Sequence, residues 1–236
     1  MLEDLVNLKD YTPLELVFFG VGCYMWAMAY LIFIVHIFRH KHVTMPIAAA
    51  SANFGWEFVW AWINPMTDMG QLLVICYRLW FFLDIIIIYA VIRYGAWQFS
   101  VAALKKNHAG VTILTTLFFF AFFATMKACG YDTPIGANSA YIAQMLISSL
   151  FIVLILKSGR SEPFSKWIAW LRTVGTALND IFMFMHYPDN HFLHVMCVTS
   201  LILDAFFIYL VYNKDLLVRI AGIDADCDIR DAPTFL

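Results

Sequence analysis

Apolar residues gather in seven runs, at about 14–37, 45–64, 71–92, 109–128, 137–156, 167–187 and 192–212. Each has roughly the 20 residues that a helix rising about 1.5 Å per residue needs to cross the hydrocarbon core of a bilayer. The pattern predicts an all-α integral membrane protein, a bundle of seven transmembrane helices forming one domain over residues 1–236. Pro13, Pro46, Pro65, Pro134, Pro163 and Pro188 stand at or near the ends of the runs. None stands inside one, so the helices should be continuous.

Charge adds direction. Lys and Arg fall in alternate connections: Arg39 and Lys41, then Arg93, Lys105 and Lys106, then Lys157, Arg160 and Lys166, then Lys214, Arg219 and Arg230. The stretches near 65–70, 130–136 and 188–191 carry none. Basic residues stay on the cytosolic side, so the N-terminus is predicted outside or lumenal and the C-terminus cytosolic. The same rule serves the endoplasmic reticulum of a eukaryote and the inner membrane of a bacterium. The first residues are acidic, and no small-residue cleavage site follows the first run, so a removable signal peptide is not expected.

Composition agrees with the pattern. Hydrophobic residues make up 62% of 236 positions and mean hydropathy is +0.75, more apolar surface than a soluble domain of this size can bury. The five cysteines, Cys23, Cys76, Cys129, Cys197 and Cys227, show no CxxC or metal-type spacing and read as packing residues. No metal site, cofactor or nucleic-acid partner is expected. The acidic tail at 223–231 lacks EF-hand spacing and reads as solvated. Phe118–Phe123, aromatic at five of six positions, is expected to face lipid.

The stretch from Ser51 to Pro65 is the exception within the apolar pattern. It holds Glu57 between Asn53 and Asn64. An ionised acid at a helix centre costs roughly 2.5 kcal/mol or more, so it is kept because a partner satisfies it or because its proton is used. Other polar groups inside the runs are Arg78, Asp84, Lys127, Arg172, Asn179, Asp180 and Asp204. Lys127 and Arg172 lie near run ends and are expected to snorkel. Counting from the run ends puts Glu57, Arg78 and Asp180 each about seven residues, or ~10 Å, below the outer surface. Asp84 and Asp204 fall one to two turns deeper.

Faces matter as well as depth. Asn53, Glu57 and Trp60 share one stripe of the second helix, Thr173, Thr176, Asp180 and Phe184 one of the sixth, and Cys197, Ser200, Asp204 and Phe207 one of the seventh. Each acid sits among small polar and aromatic groups, as on a helix that lines a cavity. An ion pair of Arg78 with Glu57 or Asp180 is the purely structural alternative. Four acids and one deep arginine would still leave most acids without a cation, and an unpartnered carboxyl in a dry site keeps its proton. Trp56, Trp60, Trp80, Tyr89, Phe182 and Tyr187 flank the acids, and their ring faces suit a developing cation.

These features exclude some seven-helix functions. A retinal protein needs a Schiff-base lysine in the last span, and Lys214 lies beyond it. A seven-span receptor carries longer loops and an acidic neighbour to the arginine ending its third span, whereas Arg93 has none. A proton-coupled small-molecule transporter remains the alternative, because intramembrane acids are its tools. Unbroken helices and the lack of an internal repeat weigh against it. An acid-catalysed enzyme acting on a lipophilic substrate accounts for the acids and the aromatics together.

Asn53-Phe-Gly-Trp56-Glu57-Phe-Val-Trp60, Tyr89-Ala-Val-Ile-Arg93-Tyr, Tyr187-Pro188 and Leu203-Asp204 resemble the membrane terpene cyclases of meroterpenoid and indole-diterpene pathways, the paspaline and pyripyropene types. The likeness covers nearly the whole chain in length, span number and motif order. It implies that Glu57 and Asp204 are catalytic. It further implies that an epoxide or terminal alkene on a prenylated substrate is protonated, without metal-dependent ionisation of a diphosphate. The chain has neither a DDxxD nor a DxDD motif. On this reading Asn53, Trp56, Trp60, Arg78, Asp84, Asp180 and Tyr187 line or support the pocket. Asp84 stands where some members have Asn.

Overall fold

The computed structural model describes residues 5–63 and 65–221. Asn64 and the acidic tail at 223–231, with Cys227 and Arg230, lie outside the described residues. The described residues are helical, without strands: α1 (Pro13–His40), α2 (Ile47–Trp62), α3 (Gln71–Tyr94), α4 (His108–Ala128), α5 (Ala137–Ser158), α6 (Lys166–His186), α7 (His191–Tyr212) and a short α8 (Lys214–Ala221). A 3-10 turn at Gly95–Gln98 and a five-residue helix at Ala102–Lys106 link α3 to α4. The seven long helices begin and end within one turn of the apolar runs. Five of them, α1, α3, α4, α5 and α7, are long and apolar enough to cross a membrane. The other two are α2, with 16 residues, and α6, whose face carries Arg172 and Asp180.

Local chemistry explains the helix ends. Thr12 and Glu15 form a reciprocal capping box at the start of α1, with Pro13 inside the first turn. Ser165 caps α6 and Asn190 caps α7, each accepting a backbone N–H three residues on. No side chain of its own caps α2. Gln98 of the 3-10 turn accepts the Ile47 N–H at 3.0 Å and donates to the Met45 carbonyl at 2.8 Å, so the end of α3 sets where α2 starts. Before α5 the chain turns at Gly136 with φ +76°, and a Cβ there would also meet the Trp60 ring at 2.4 Å.

Close approach fixes the bundle. α1 packs on α6 through Gly22 and Gly175: a Cβ on Gly22 would meet the Asn179 amide at 2.6 Å, and one on Gly175 would meet Trp26 at 2.6 Å and the Gly22 carbonyl at 2.9 Å. Gly55 similarly lets α2 lie against the backbone of α4. Gly175→Ala is expected to destabilise the protein by about 1–3 kcal/mol through overpacking. Gly110→Ala, whose Cβ meets nothing within 4 Å, should leave the Tm unchanged. Thermal unfolding of the two variants in detergent, compared side by side, checks this.

Two apolar clusters fill the bundle. One gathers Phe33, Ile37, Ile87, Val91, Phe151, Ile155, Phe207 and Leu210. The other gathers Trp56, Val59, Tyr77, Phe123, Tyr141, Phe182 and Cys197. On α3, α5 and α7 the buried polar residues Asp84, Gln144, Ser200 and Asp204 fall between the two sets, so a polar layer crosses the bundle partway along its length. The Phe118–Phe123 run does not face lipid as a block. Phe118 is 59% exposed, whereas Phe119 and Phe123, one helical turn apart, are buried against α2 and its neighbours. A period of 3.6 residues splits any six-residue helical run between two faces.

Candidate active site

Three helices bring the first group of polar residues together. Asn53 and Glu57 lie one turn apart on α2, so the Asn53 Nδ2 group reaches Glu57 Oε1 at 3.0 Å. The same Nδ2 reaches Asp84 Oδ2 of α3 at 2.8 Å, and it also contacts the Tyr30 hydroxyl of α1. The Glu57 and Asp84 carboxyls therefore share one amide donor. An amide NH2 has two protons for these three oxygen neighbours, and the Tyr30 hydroxyl adds a third hydrogen to the cluster. Glu57 is 4% exposed and Asp84 2%. Two carboxyls thus meet at one amide in an apolar surround.

The second group joins α5, α6 and α7. Arg172 Nη2 meets Asp204 Oδ1 at 2.6 Å, with Asp204 fully buried and Arg172 8% exposed. Gln144 Nε2 and the Thr176 hydroxyl both approach Asp204 Oδ2 at 3.5 Å. The guanidinium sits over the rings of Phe151 at 4.4 Å and Phe207 at 5.3 Å. Guanidinium and carboxylate thus form a buried pair between α6 and α7.

Both groups border one cavity of about 120 Å³. Asn53, Glu57, Gln144 and Arg172 supply its polar wall, and Phe33, Trp56, Tyr77, Trp80 and Phe151 its rings. The Trp56 indole N–H is tied to Ser139 at 2.8 Å, and the Tyr77 hydroxyl donates to the Ile135 carbonyl at 2.7 Å, so both rings are held in place. A larger apolar groove of about 750 Å³ lies between α1 and α3. It shares Phe19, Cys23 and Trp80 with the acid cavity and is bordered by the exposed side chains Tyr24, Leu72 and Leu79.

The structure sorts the residues expected from sequence. Asn53, Trp56 and Glu57 line the cavity, and Asp84 stands directly behind Asn53. Asp204 lies behind Arg172 and Gln144. Asp180 accepts the Tyr141 hydroxyl at 2.6 Å, away from the carboxyl pair. Trp60 packs on Gly136 beneath the Lys127 ammonium. Tyr187 stacks edge-on against His186 at the helix end.

Arg78 is a correction. It neither pairs with Glu57 or Asp180 nor borders the cavity. Its Nε donates to the Ala61 carbonyl at 3.3 Å, and its guanidinium lies over Trp62 at 5.1 Å. The α2 backbone ends there, and its unpaired carbonyls attract a cation more cheaply than burial would. Arg172 is the converse correction: it does not snorkel but points inward to Asp204. Arg172, Thr176 and Asn179 share a stripe at i, i+4 and i+7, and that spacing was the available signal. Tyr30 and Gln144, single polar groups in apolar runs, carried none.

A model of the Pyr4-like transmembrane terpene cyclases matches residues 8–213. Among curated proteins, the chain is 23% identical over 171 residues to the Pyr4-family terpene cyclase mfmH of Annulohypoxylon moriforme, covering 70% of this chain and 69% of that one. It is 23% identical over 181 residues to terpene cyclase macJ of Penicillium terrestre, covering 74% and 69%. The terpene cyclase pyr4 of Aspergillus fumigatus is 24% identical over 173 residues, covering 73% and 69%. No solved structure matches. The match to the family model runs from the segment before α1 to the residue after α7 and takes in both polar groups, and on that extent the chain belongs to the Pyr4-like transmembrane terpene cyclases.

Proposed function

We propose that this cyclase is acid-initiated, and that Glu57 delivers the first proton to an epoxide oxygen or terminal alkene of a prenylated meroterpenoid or indole-terpenoid substrate. The supporting observation is the Glu57–Asp84 carboxyl pair, bridged by Asn53 on the wall of an aromatic cavity. When an epoxide is the acceptor, the carbon–oxygen bond breaks as the oxygen gains the proton, leaving a hydroxyl and a tertiary cation. The π electrons of the next alkene then close a ring and pass the cation along. At the end a carbon–hydrogen bond breaks, its electrons form an alkene, and the proton returns to the carboxylate left at the Glu57–Asp84 pair. The sum is an isomerisation that regenerates the acid and requires no metal. Trp56, Tyr77 and Trp80 face the migrating charge with ring faces.

Asp204 acts in this scheme as a positioning residue rather than a donor, because its carboxylate is held by Arg172 behind the cavity wall. All seven long helices cross the bilayer, with the N-terminus lumenal and the C-terminus cytosolic. The relatives named above are fungal, and for a fungal protein this topology implies the endoplasmic reticulum.

Microsomes incubated with a farnesylated aromatic compound or its terminal epoxide, in D2O, test the reading. Product should have the substrate's formula with one or more new carbocycles. Opening an epoxide puts deuterium on an exchangeable hydroxyl only, whereas alkene protonation leaves one deuterium on carbon. Uptake into vesicles without any change in ring count would replace the reading with transport.

In this scheme the prenyl chain reaches the acids through the groove between α1 and α3. Gly20 lies on that groove with nothing within 4 Å of a Cβ placed there. Gly20→Trp should therefore fold normally yet lower kcat/KM about tenfold or more, with most of the loss in KM. Unchanged kinetics would send the substrate by another route.

A further inference from the structure

Arg172 uses little of its hydrogen-bonding capacity. Its Nη2 meets Asp204, but its Nε and Nη1 are buried and find no acceptor among the described residues. A guanidinium has five N–H donors in a rigid fork, and leaving them bare in a dry interior is costly. The rings of Phe151 and Phe207 cover its charge but offer nothing to the N–H edge. That residue is also part of the wall of the acid cavity, next to Gln144. Tyr30, which contacts Asn53 in the carboxyl cluster, lines the same cavity as Arg172. The bare donors and the acid pair therefore border one small space.

We infer that Arg172 is a substrate-binding residue, whose Nε and Nη1 donors hold a hydrogen-bond-accepting oxygen on the prenylated substrate. The inference rests on the cyclase reading above and names what that site binds. The Asp204 carboxylate neutralises Arg172, so the pair can donate hydrogen bonds without opposing a carbocation in the same cavity. A pure hydrocarbon would leave both donors unfilled, and the site should reject it relative to an oxygen-bearing chain of the same length. The oxygen belongs either to the epoxide, which Arg172 would then polarise as Glu57 protonates it, or to the aromatic head group, which it would anchor.

The test is equilibrium binding by tryptophan fluorescence quenching, with the protein in lipid nanodiscs. Three probes are used: β-farnesene, the terminal epoxide of β-farnesene, and farnesyl phenyl ether. One oxygen-bearing probe should bind roughly tenfold or more tighter than β-farnesene, as for a hydrogen bond from a charged donor. A gain for the epoxide identifies the reacting oxygen, and a gain for the ether identifies the head group. The Arg172→Met/Asp204→Leu double variant removes the donors without stranding a buried charge, and the preference should collapse to within about twofold. Arg172→Lys keeps the ion pair and loses the Nε and Nη1 donors, so it should lose most of the preference as well. Equal binding of all three probes by the wild type, or a preference that survives in either variant, overturns the inference. Glu57→Gln should lose turnover and keep the preference. Wild-type protein that shows the Arg172-dependent preference but forms no rings would retain the subsite and reject the cyclase reading.

Discussion

Glu57→Gln microsomes are expected to form no detectable cyclised product, with a rate loss of about 10²–10⁴-fold, the range for removing a positioned general acid. Gln has the same shape, can accept from the Asn53 amide as Glu57 Oε1 does, and lacks an acidic proton. The α2 helix and the cavity should therefore persist, and the protein should retain its expression and its elution profile in detergent. Asp84→Asn provides the internal comparison. It leaves Glu57 with its own proton and the bridging amide, so it should slow the reaction less than Glu57→Gln does. Product mass and ring count by chromatography and mass spectrometry, normalised to protein, decide the matter. Wild-type turnover by Glu57→Gln would remove the carboxyl pair from the mechanism.

A second large effect is expected at Asp204, and it is one of stability. Asp204→Ala leaves the Arg172 guanidinium buried against Phe151 and Phe207 with no carboxylate, and breaking a buried pair in this way costs about 3–5 kcal/mol. For a chain of this size that corresponds to roughly 6–20 °C in Tm. Arg172→Ala should cost as much, because Asp204 is then stranded. The two losses should not add. Arg172→Met/Asp204→Leu removes both charges and should be more stable than either single alanine variant, though inactive, since the cavity has lost its donors. Thermal unfolding of the wild type, Asp204→Ala, Arg172→Ala and the combined Arg172→Ala/Asp204→Ala variant forms a double-mutant cycle. Additive losses would mean that the 2.6 Å contact is not a coupled pair. The cycle also separates two reasons why Asp204 matters, because a proton donor would be missed in turnover without being missed in Tm.

Both effects depend on side chains that the sequence ranked unequally. Glu57 stood out because an acid in a 15-residue aromatic stretch has no cheap explanation, and Asn53 followed from its i, i+4 spacing. Asp84 was visible as an acid but not as the partner of Glu57. Distances counted from run ends put the two at different depths, and such counting carries no information about how α2 and α3 slide against each other. Arg78 and Arg172 were exchanged for the same reason. Each lies about one and a half to two turns from a run end, and sequence distance alone does not say which arginine turns outward to the carbonyls ending α2 and which turns inward to a carboxylate. The Phe118–Phe123 run went astray through composition, since a block of like residues hides a helical period.

The sequence alone determined the class, the helix positions and their unbroken course, because crossing a membrane without unpaired backbone groups admits few solutions and prolines mark the ends. It also identified the acids as residues that need an explanation. Only the tertiary structure decided which polar groups meet: Glu57 with Asp84 through Asn53, and Asp204 with Arg172. Those pairings follow from how closely the helices approach, which Gly22, Gly55 and Gly175 permit, and from the direction each side chain leaves its helix. A one-dimensional pattern records the period of each helix but not the register between two of them.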